Sequence, residues 1–445
     1  MSVLDAAVAE ASAEEILAAD VPESYRAAYI ERDDALALWD KPEKDVRQTL
    51  KVGEVPMPEL APDEALVAVM ASAMNYNTIW SARFEPVPTF LFLNHLAKQG
   101  GWHERHDMPQ HTLGSDASGI VVRTGSAVED WSVGDRVVVF PGWGNVDRCV
   151  AFHDHVLSKD SLAWGFETNF GGLAHLAIVK NHQLMPKPKH LNWEEAASNT
   201  LCAMTAYRML VSPHGAPFKQ GDIVFVWGAA GGLGAYAIQL IRNGGAISVG
   251  VVNSEPKARL LEELGCDLII RRDQMDLEGL EPRKVGKAYR ELVRAEFDED
   301  PHIVFEHVGA QTFGPSVYLA RRGGRIVTCG SSTGYEHTFD NRYLWMMGKS
   351  IVGSHGATLQ EARECNRLFE LGRLQPALSK VFSLDEAPEA AHGLQANTHV
   401  GKVGVLCLAP EEGLGVEDPE RRAEIGESQI EMFRKYGETE EATVR

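Results

Sequence analysis

The stretch "DIVFVWGAAGGLGAYAIQL" (222–240) decides how the rest of the chain is read. An apolar run from Ile223 to Trp227 gives way to Gly228, Gly231, Gly232 and Gly234, and then to helically spaced apolar residues. This is the pattern of a strand, a tight turn and a helix. Glycines permit the turn and a close backbone approach, and the helix start presents free N–H groups to a pyrophosphate. Alone the motif is weak evidence. Here a second strand-like run, "AISVGVV" (246–252), follows at the spacing of a βαβ unit.

Outward from it, "CDLII" (266–270), "HIVFEHV" (302–308), "GRIVTCG" (324–330) and "SIVGSH" (350–355) are further short buried-strand runs. Amphipathic segments such as "PKARLLEEL" (256–264) and "VGKAYRELVRAEF" (285–297) separate the early ones. Strands alternating with helices predict a doubly wound parallel sheet of the Rossmann type over about 195–350. Upstream, "EALVAVMAS" (64–72), "SGIVVRTG" (118–125) and "LAHLAIVK" (173–180) alternate with turn residues, predicting a β-rich domain. A long insertion at 83–111 interrupts that domain, and insertions of this length are more often functional than idle. Residues 1 to about 40 read as helical, and "WEEAASNTLCAMTAYRMLV" (193–211) has helical spacing. After 350 the chain returns through a helix–strand pattern to "KVGVLCLAP" (402–410) and a charged helical tail.

A chain of 445 residues exceeds what one compact core usually supports, so two domains are expected. The net charge of −20 argues against nucleic-acid or anionic-membrane partners. Cys149, Cys202, Cys266, Cys329, Cys365 and Cys407 are scattered singly, so neither a zinc ribbon nor a disulfide framework is indicated. The N-terminus lacks a basic leader followed by an apolar stretch, and no run is long enough to span a bilayer, so the cytoplasm is the expected compartment. The second strand of the nucleotide unit ends in Asn253 and Ser254, with Lys257 and Arg259 beginning the next helix. NAD sites usually offer a carboxylate there, whereas hydroxyl, amide and cations suit the 2′-phosphate of NADPH. Glu255 is the dissenting charge.

An α/β nucleotide unit inserted in a β-rich domain resembles the medium-chain dehydrogenase/reductase superfamily. Where its zinc-dependent members carry a G-H-E motif, this chain has "GSDASG" (114–119) and no four-cysteine lobe, so the resemblance is to the zinc-free members. The likeness tightens at "NYNTIW" (75–80), "WGFETNFGG" (164–172), "QLMPKP" (183–188), "FEH" (305–307), "DNRYLWM" (340–346), "GSH" (353–355) and "GKVGVLCLAPEEGLGV" (401–416). Together these resemble the crotonyl-CoA carboxylase/reductase family. The resemblance implies an N-terminal helical segment and the first part of a GroES-like catalytic domain over 1–194, with the Rossmann NADPH-binding domain at 195–350. Residues 351–445 then return to the catalytic domain and the tail. It also implies hydride transfer from NADPH to the β-carbon of an enoyl-CoA, followed by capture of CO2 at the α-carbon without a metal.

In that family CO2 is held by an asparagine, a phenylalanine, a glutamate and a histidine, which match Asn77, Phe166, Glu167 and His355 here. CO2 needs weak, preorganised donors at its oxygens, which the Asn77 amide and the His355 ring can supply. Phe166 would exclude water, and Glu167 would orient His355. Thr205 either touches the nicotinamide amide or bonds its own helix backbone. Arg342 and Tyr343 either meet CoA phosphate and adenine, or Arg342 pairs with Asp340. Gly356 stands where crotonyl-preferring members carry phenylalanine, implying a larger acyl pocket. A longer or branched enoyl-CoA, giving an alkylmalonyl-CoA of the kind used as a polyketide extender unit, is the expectation. Two alternatives stay open: a non-carboxylating enoyl-thioester reductase, and a non-catalytic NADPH-binding, crystallin-like protein. The family likeness also implies a homotetramer built as a dimer of dimers.

Overall fold

The computed structural model describes residues 1–41, 44–144 and 154–437; Cys149 and the end of the charged tail, 438–445, lie outside them. The chain forms two compact units, Met1–Leu201 with Thr358–Arg434, and Cys202–Ala357 with the short segment that begins at Lys435.

The spine of the first unit is the strand Glu64–Ala73, all ten residues of which are buried. A strand covered on both faces reads as a continuous apolar run, which is how "EALVAVMAS" is written. It pairs antiparallel with Ser118–Thr124, Leu176–Lys180 and Lys402–Leu406. The sheet runs Leu184–Pro186, Arg136–Val139, Ser118–Thr124, Glu64–Ala73, Lys402–Leu406, Leu378–Ser383. Its last two strands come from the returning chain.

The N-terminal region departs from the helical expectation. Helices cover only Val3–Val8, Ala13–Ala18 and Arg32–Leu38, while Ser24–Glu31 is a strand between Lys51–Pro56 and Gln110–Thr112. Tyr25, Ala27, Ala28 and Ile30 are buried there, so sheet pairing and packing override the helix preference of alanine. The insertion supplies the helix Phe90–Ala97, a 3₁₀ turn Gly101–His106 and the edge strand Gln110–Thr112.

In the second unit six strands lie in the order Leu268–Arg271, Ile247–Val252, Ile223–Val226, Ile303–Glu306, Arg325–Thr328, Ser350–Gly353, all parallel. This 3-2-1-4-5-6 order is that of a dinucleotide-binding Rossmann sheet.

The run 193–211 is two helices, Trp193–Ala197 and Leu201–Leu210, rather than one. The second helix starts where it is capped by Asp116, from the loop that precedes Ser118–Thr124: Asp116 Oδ1 accepts from Leu201 N at 2.7 Å and from the Thr200 hydroxyl. Its Oδ2 accepts from Asn75 Nδ2 at 2.7 Å and from Lys402 Nζ at 2.8 Å. Lys402 also donates to Met74 O at 2.7 Å and to Asn75 Oδ1 at 2.5 Å. Replacing Lys402 by Met leaves a buried carboxylate without its cation, which costs about 3–5 kcal/mol. The urea midpoint of the Lys402→Met variant is expected to fall accordingly, and the double variant with Asp116→Asn to lose less. Equal losses in the two variants would refute a charge-pair role.

Candidate functional site

In the first unit, Asn77 lies in the opening turn of the helix Tyr76–Arg83. The N-cap residue Asn75 makes no side-chain cap bond, because its amide is committed to Asp116 and Lys402. Asn77 Nδ2 donates to Ser115 Oγ at 2.8 Å, and Ser115 Oγ donates to Trp164 O at 2.6 Å. The hydroxyl thus brings Asn77 to the segment that carries Phe166 and Glu167.

That segment is a tight turn. Gly165 has φ +68°, and a Cβ there would meet Gly114 O at 2.0 Å, so only glycine fits. Phe166 N and Glu167 N both donate to Ala163 O, at 3.2 and 2.8 Å. Glu167 Oε2 accepts from Ala163 N at 2.7 Å, closing the turn on itself. The carboxylate is half-buried and fixed by its own backbone. Phe166 is also half-buried, with its ring 6.1 Å from that of Phe92 on the insertion helix.

The insertion backs the turn through two buried histidines. Burial pushes the pKa of His111 down to about 4, so the ring is neutral at pH 7. Its Nε2 faces Thr168 O at 3.0 Å and must carry the proton, leaving Nδ1 to accept from the Thr89 hydroxyl at 2.8 Å. His106 Nδ1 accepts from Asn169 N at 3.1 Å, and Asn169 Oδ1 accepts from Thr112 N at 2.8 Å. Sequence reasoning missed Ser115, His106 and His111. The density of histidines in "WHERHDMPQH" (102–111) was the available signal, whereas nothing local marks Ser115.

In the second unit, Gly228 has φ +57° and Gly231 caps the helix Gly232–Asn243, whose first turn has no side-chain cap. A Cβ on Gly234 would lie 2.4 Å from Gly228 O, so this glycine is required by helix–strand packing. Free N–H groups at such a helix start suit a pyrophosphate. Ser254 caps the helix Glu255–Glu263 without a side-chain bond, next to Asn253 at the end of the second strand. Lys257 is buried, and desolvation together with the neighbouring Arg272 cation pushes its pKa below the usual lysine value. Among the described residues no carboxylate forms an ion pair with it, so the chain itself offers Lys257 another cation and no counter-charge. Glu255, the dissenting acid, is taken up by Arg271 and lies 3.3 Å from Arg259. Arg271 and Arg272 were not singled out from sequence; the doublet at the end of the neighbouring strand was the missed sign.

Thr205 is buried on the helix Leu201–Leu210. His355 is exposed and follows the strand Ser350–Gly353. Gly356 has φ +54°, and a Cβ there would meet nothing within 4 Å. For Arg342 the structure shows the second of the two expected roles: its exposed guanidinium pairs with Asp340 at 2.7 Å. Tyr343 packs edge-on against Tyr318 at 4.8 Å.

Two family models match the chain: "Alcohol dehydrogenase GroES-like domain" over residues 61–189 and "Zinc-binding dehydrogenase" over 232–371. The residues present do not suit zinc. Asp116, in the glycine-flanked motif, already has Lys402 as its cation, and among the described residues no group of three or more histidines, cysteines or acids is placed to hold a metal ion. The chain is 49% identical to the crotonyl-CoA reductase of Streptomyces collinus, over 93% of this chain and 95% of that protein. It is 39% identical to the crotonyl-CoA carboxylase/reductase of Cereibacter sphaeroides, over 82% and 86% of the two chains. The solved structure of the 2-octenoyl-CoA carboxylase reductase CinF, in complex with NADP and 2-octenoyl-CoA, superposes with a TM-score of 0.94 at 55% identity, covering 98% of this chain and 99% of that one. The carboxylase/reductase AntE, solved with NADP, gives a TM-score of 0.77 at 33% identity over 88% and 96%. The nucleotide sheet, the self-closed Phe166–Glu167 turn and these likenesses agree, and the chain belongs to the crotonyl-CoA carboxylase/reductase family.

Proposed function

We propose that this protein catalyses the NADPH-dependent reductive carboxylation of an α,β-unsaturated acyl-CoA. The observation that carries this reading is the hydroxyl bridge of Ser115, which ties the Asn77 amide to the turn that carries Phe166 and Glu167. When bound, NADPH supplies the hydride that reduces the β-carbon. The chain's own task is then to present CO2 to the α-carbon before a proton arrives. Asn77 and His355 donate weakly to the CO2 oxygens, Phe166 excludes water, and Glu167 orients His355. Gly228, Gly231, Gly232 and Gly234 seat the pyrophosphate, Asn253, Ser254 and Lys257 take the 2′-phosphate, and Thr205 meets the nicotinamide amide. Tyr343 takes the CoA adenine, with Arg342 available to phosphate only by leaving Asp340.

The open space at Gly356 favours an acyl chain longer than crotonyl or branched, with an alkylmalonyl-CoA extender unit as product; the 2-octenoyl-CoA found with CinF supports the same choice. The protein acts in the cytoplasm as a homotetramer. Support for self-association is the edge strand Ser350–Gly353, which leaves Ile351 exposed beside the exposed Trp345 and Met346.

Three outcomes follow. NADPH oxidation with bicarbonate yields a carboxylated product by mass spectrometry, and Phe166→Ala raises the share of simply reduced product; a product free of added CO2 in the wild-type reaction would make the protein a plain enoyl-thioester reductase. A C6–C8 2-enoyl-CoA has a higher kcat/KM than crotonyl-CoA; the reverse order would remove the argument from Gly356. Lys257→Ala weakens NADPH relative to NADH by about tenfold to a hundredfold, the worth of one charge-assisted hydrogen bond; an unchanged ratio would place the 2′-phosphate elsewhere.

A further inference from the structure

We propose that Ser115 is a positioning residue for carboxylation: it fixes which edge of the Asn77 amide faces the bound gas. The proposal rests on the carboxylating reading above and adds a residue to it. Ser115 is fully buried, and its hydroxyl has a single proton. The oxygen lies 2.6 Å from Trp164 O, a carbonyl that can only accept, so the proton is committed there. The Ser115 oxygen must therefore accept from its other neighbour, the Asn77 amide at 2.8 Å. An amide's oxygen and nitrogen are hard to tell apart by shape alone, but here the chemistry assigns them: the edge facing Ser115 is the NH2 group.

The opposite orientation would set two oxygens against each other with no proton between them, unless Ser115 abandoned the buried Trp164 carbonyl. With the assigned orientation, one amide hydrogen is spent on Ser115. Asn77 Oδ1 is buried and has no hydrogen-bond partner among the described residues, so that atom and the second amide hydrogen are left for what enters the site. Asn75, two residues earlier, contrasts with this: its amide is fully engaged by Asp116 and Lys402. The segment is thus anchored at Asn75 and aimed at Asn77. The same hydroxyl sets the spacing between Asn77 and the turn of Phe166 and Glu167, since its second contact is Trp164. A hydroxyl serving only the turn would need Trp164 alone.

The test uses the full-length enzyme with NADPH, a 2-enoyl-CoA and bicarbonate, and reads the ratio of carboxylated to reduced product. Ser115→Ala is expected to lower that ratio by about three- to tenfold, the effect of one lost neutral hydrogen bond, with NADPH oxidation retained. Ser115→Thr, which keeps the hydroxyl, is expected to keep the ratio. In an Asn77→Ala background the Ser115→Ala change is expected to have no further effect on the ratio, because Ser115 acts through Asn77. A wild-type ratio in Ser115→Ala while Asn77→Ala shifts it, or losses that multiply in the double variant, would overturn the proposal. A wild-type enzyme that yields only reduced product would overturn the carboxylating reading itself, and that is seen before any variant is made.

Discussion

A carboxylate and an ammonium group, both withdrawn from water, hold the first unit in register. Asp116 accepts from Asn75, Lys402, Thr200 and the Leu201 backbone, and Lys402 spends its three hydrogens on Asp116, Asn75 and Met74. A buried ion pair of this kind is a poor source of net stability, because desolvation offsets most of the attraction. Its value is geometric. Once the pair is formed, four stretches of chain far apart in sequence must meet at one point, and the positions of Asn77 and of the Thr200–Leu201 backbone follow from that. In a superfamily where the corresponding motif can serve zinc, a lysine brings the positive charge and the metal becomes unnecessary for holding these segments together.

The nucleotide unit was readable from its period. Each strand there is short, apolar and followed by a turn, so local pattern and final fold coincide, and all six strands appear where the runs were written. The β-rich unit was less legible. Strand Ser24–Glu31 carries alanines and charges that favour helix locally, and only its pairing with Lys51–Pro56 and Gln110–Thr112 makes it a strand. The helical run 193–211 hides a break for the same reason: the atom that caps its second helix belongs to Asp116, more than eighty positions earlier. Interactions of that range leave no trace in a local window.

The site divides in the same way. Asn77, Phe166, Glu167, His355 and the glycines of the nucleotide turn sit in motifs long enough to be noticed, and their roles came with the family resemblance. Ser115, His106 and His111 do their work through carbonyls and amides of other segments, and such partners are invisible until the backbone is folded. Arg342, a conspicuous cation in a family-like motif, pairs with its neighbour Asp340, a contact that only the fold shows. Glu167 combines both lessons. Its motif drew the eye, but only the fold shows that a bond to Ala163 N holds the carboxylate in place.

Lys257 has a consequence for energetics. A cation kept from water beside Arg272, with no carboxylate among the described residues paired to it, raises the free energy of the folded unit, and an anion that settles there relieves it. If that anion is the dinucleotide's 2′-phosphate, as proposed, the relief stabilises the fold as well as the complex and links binding to the integrity of the parallel sheet. The phosphate in question carries the same charge before and after hydride transfer. In the proposed 2′-phosphate role Lys257 would tighten both redox states alike, selecting the cofactor and steadying the protein while leaving the driving force of the reduction untouched.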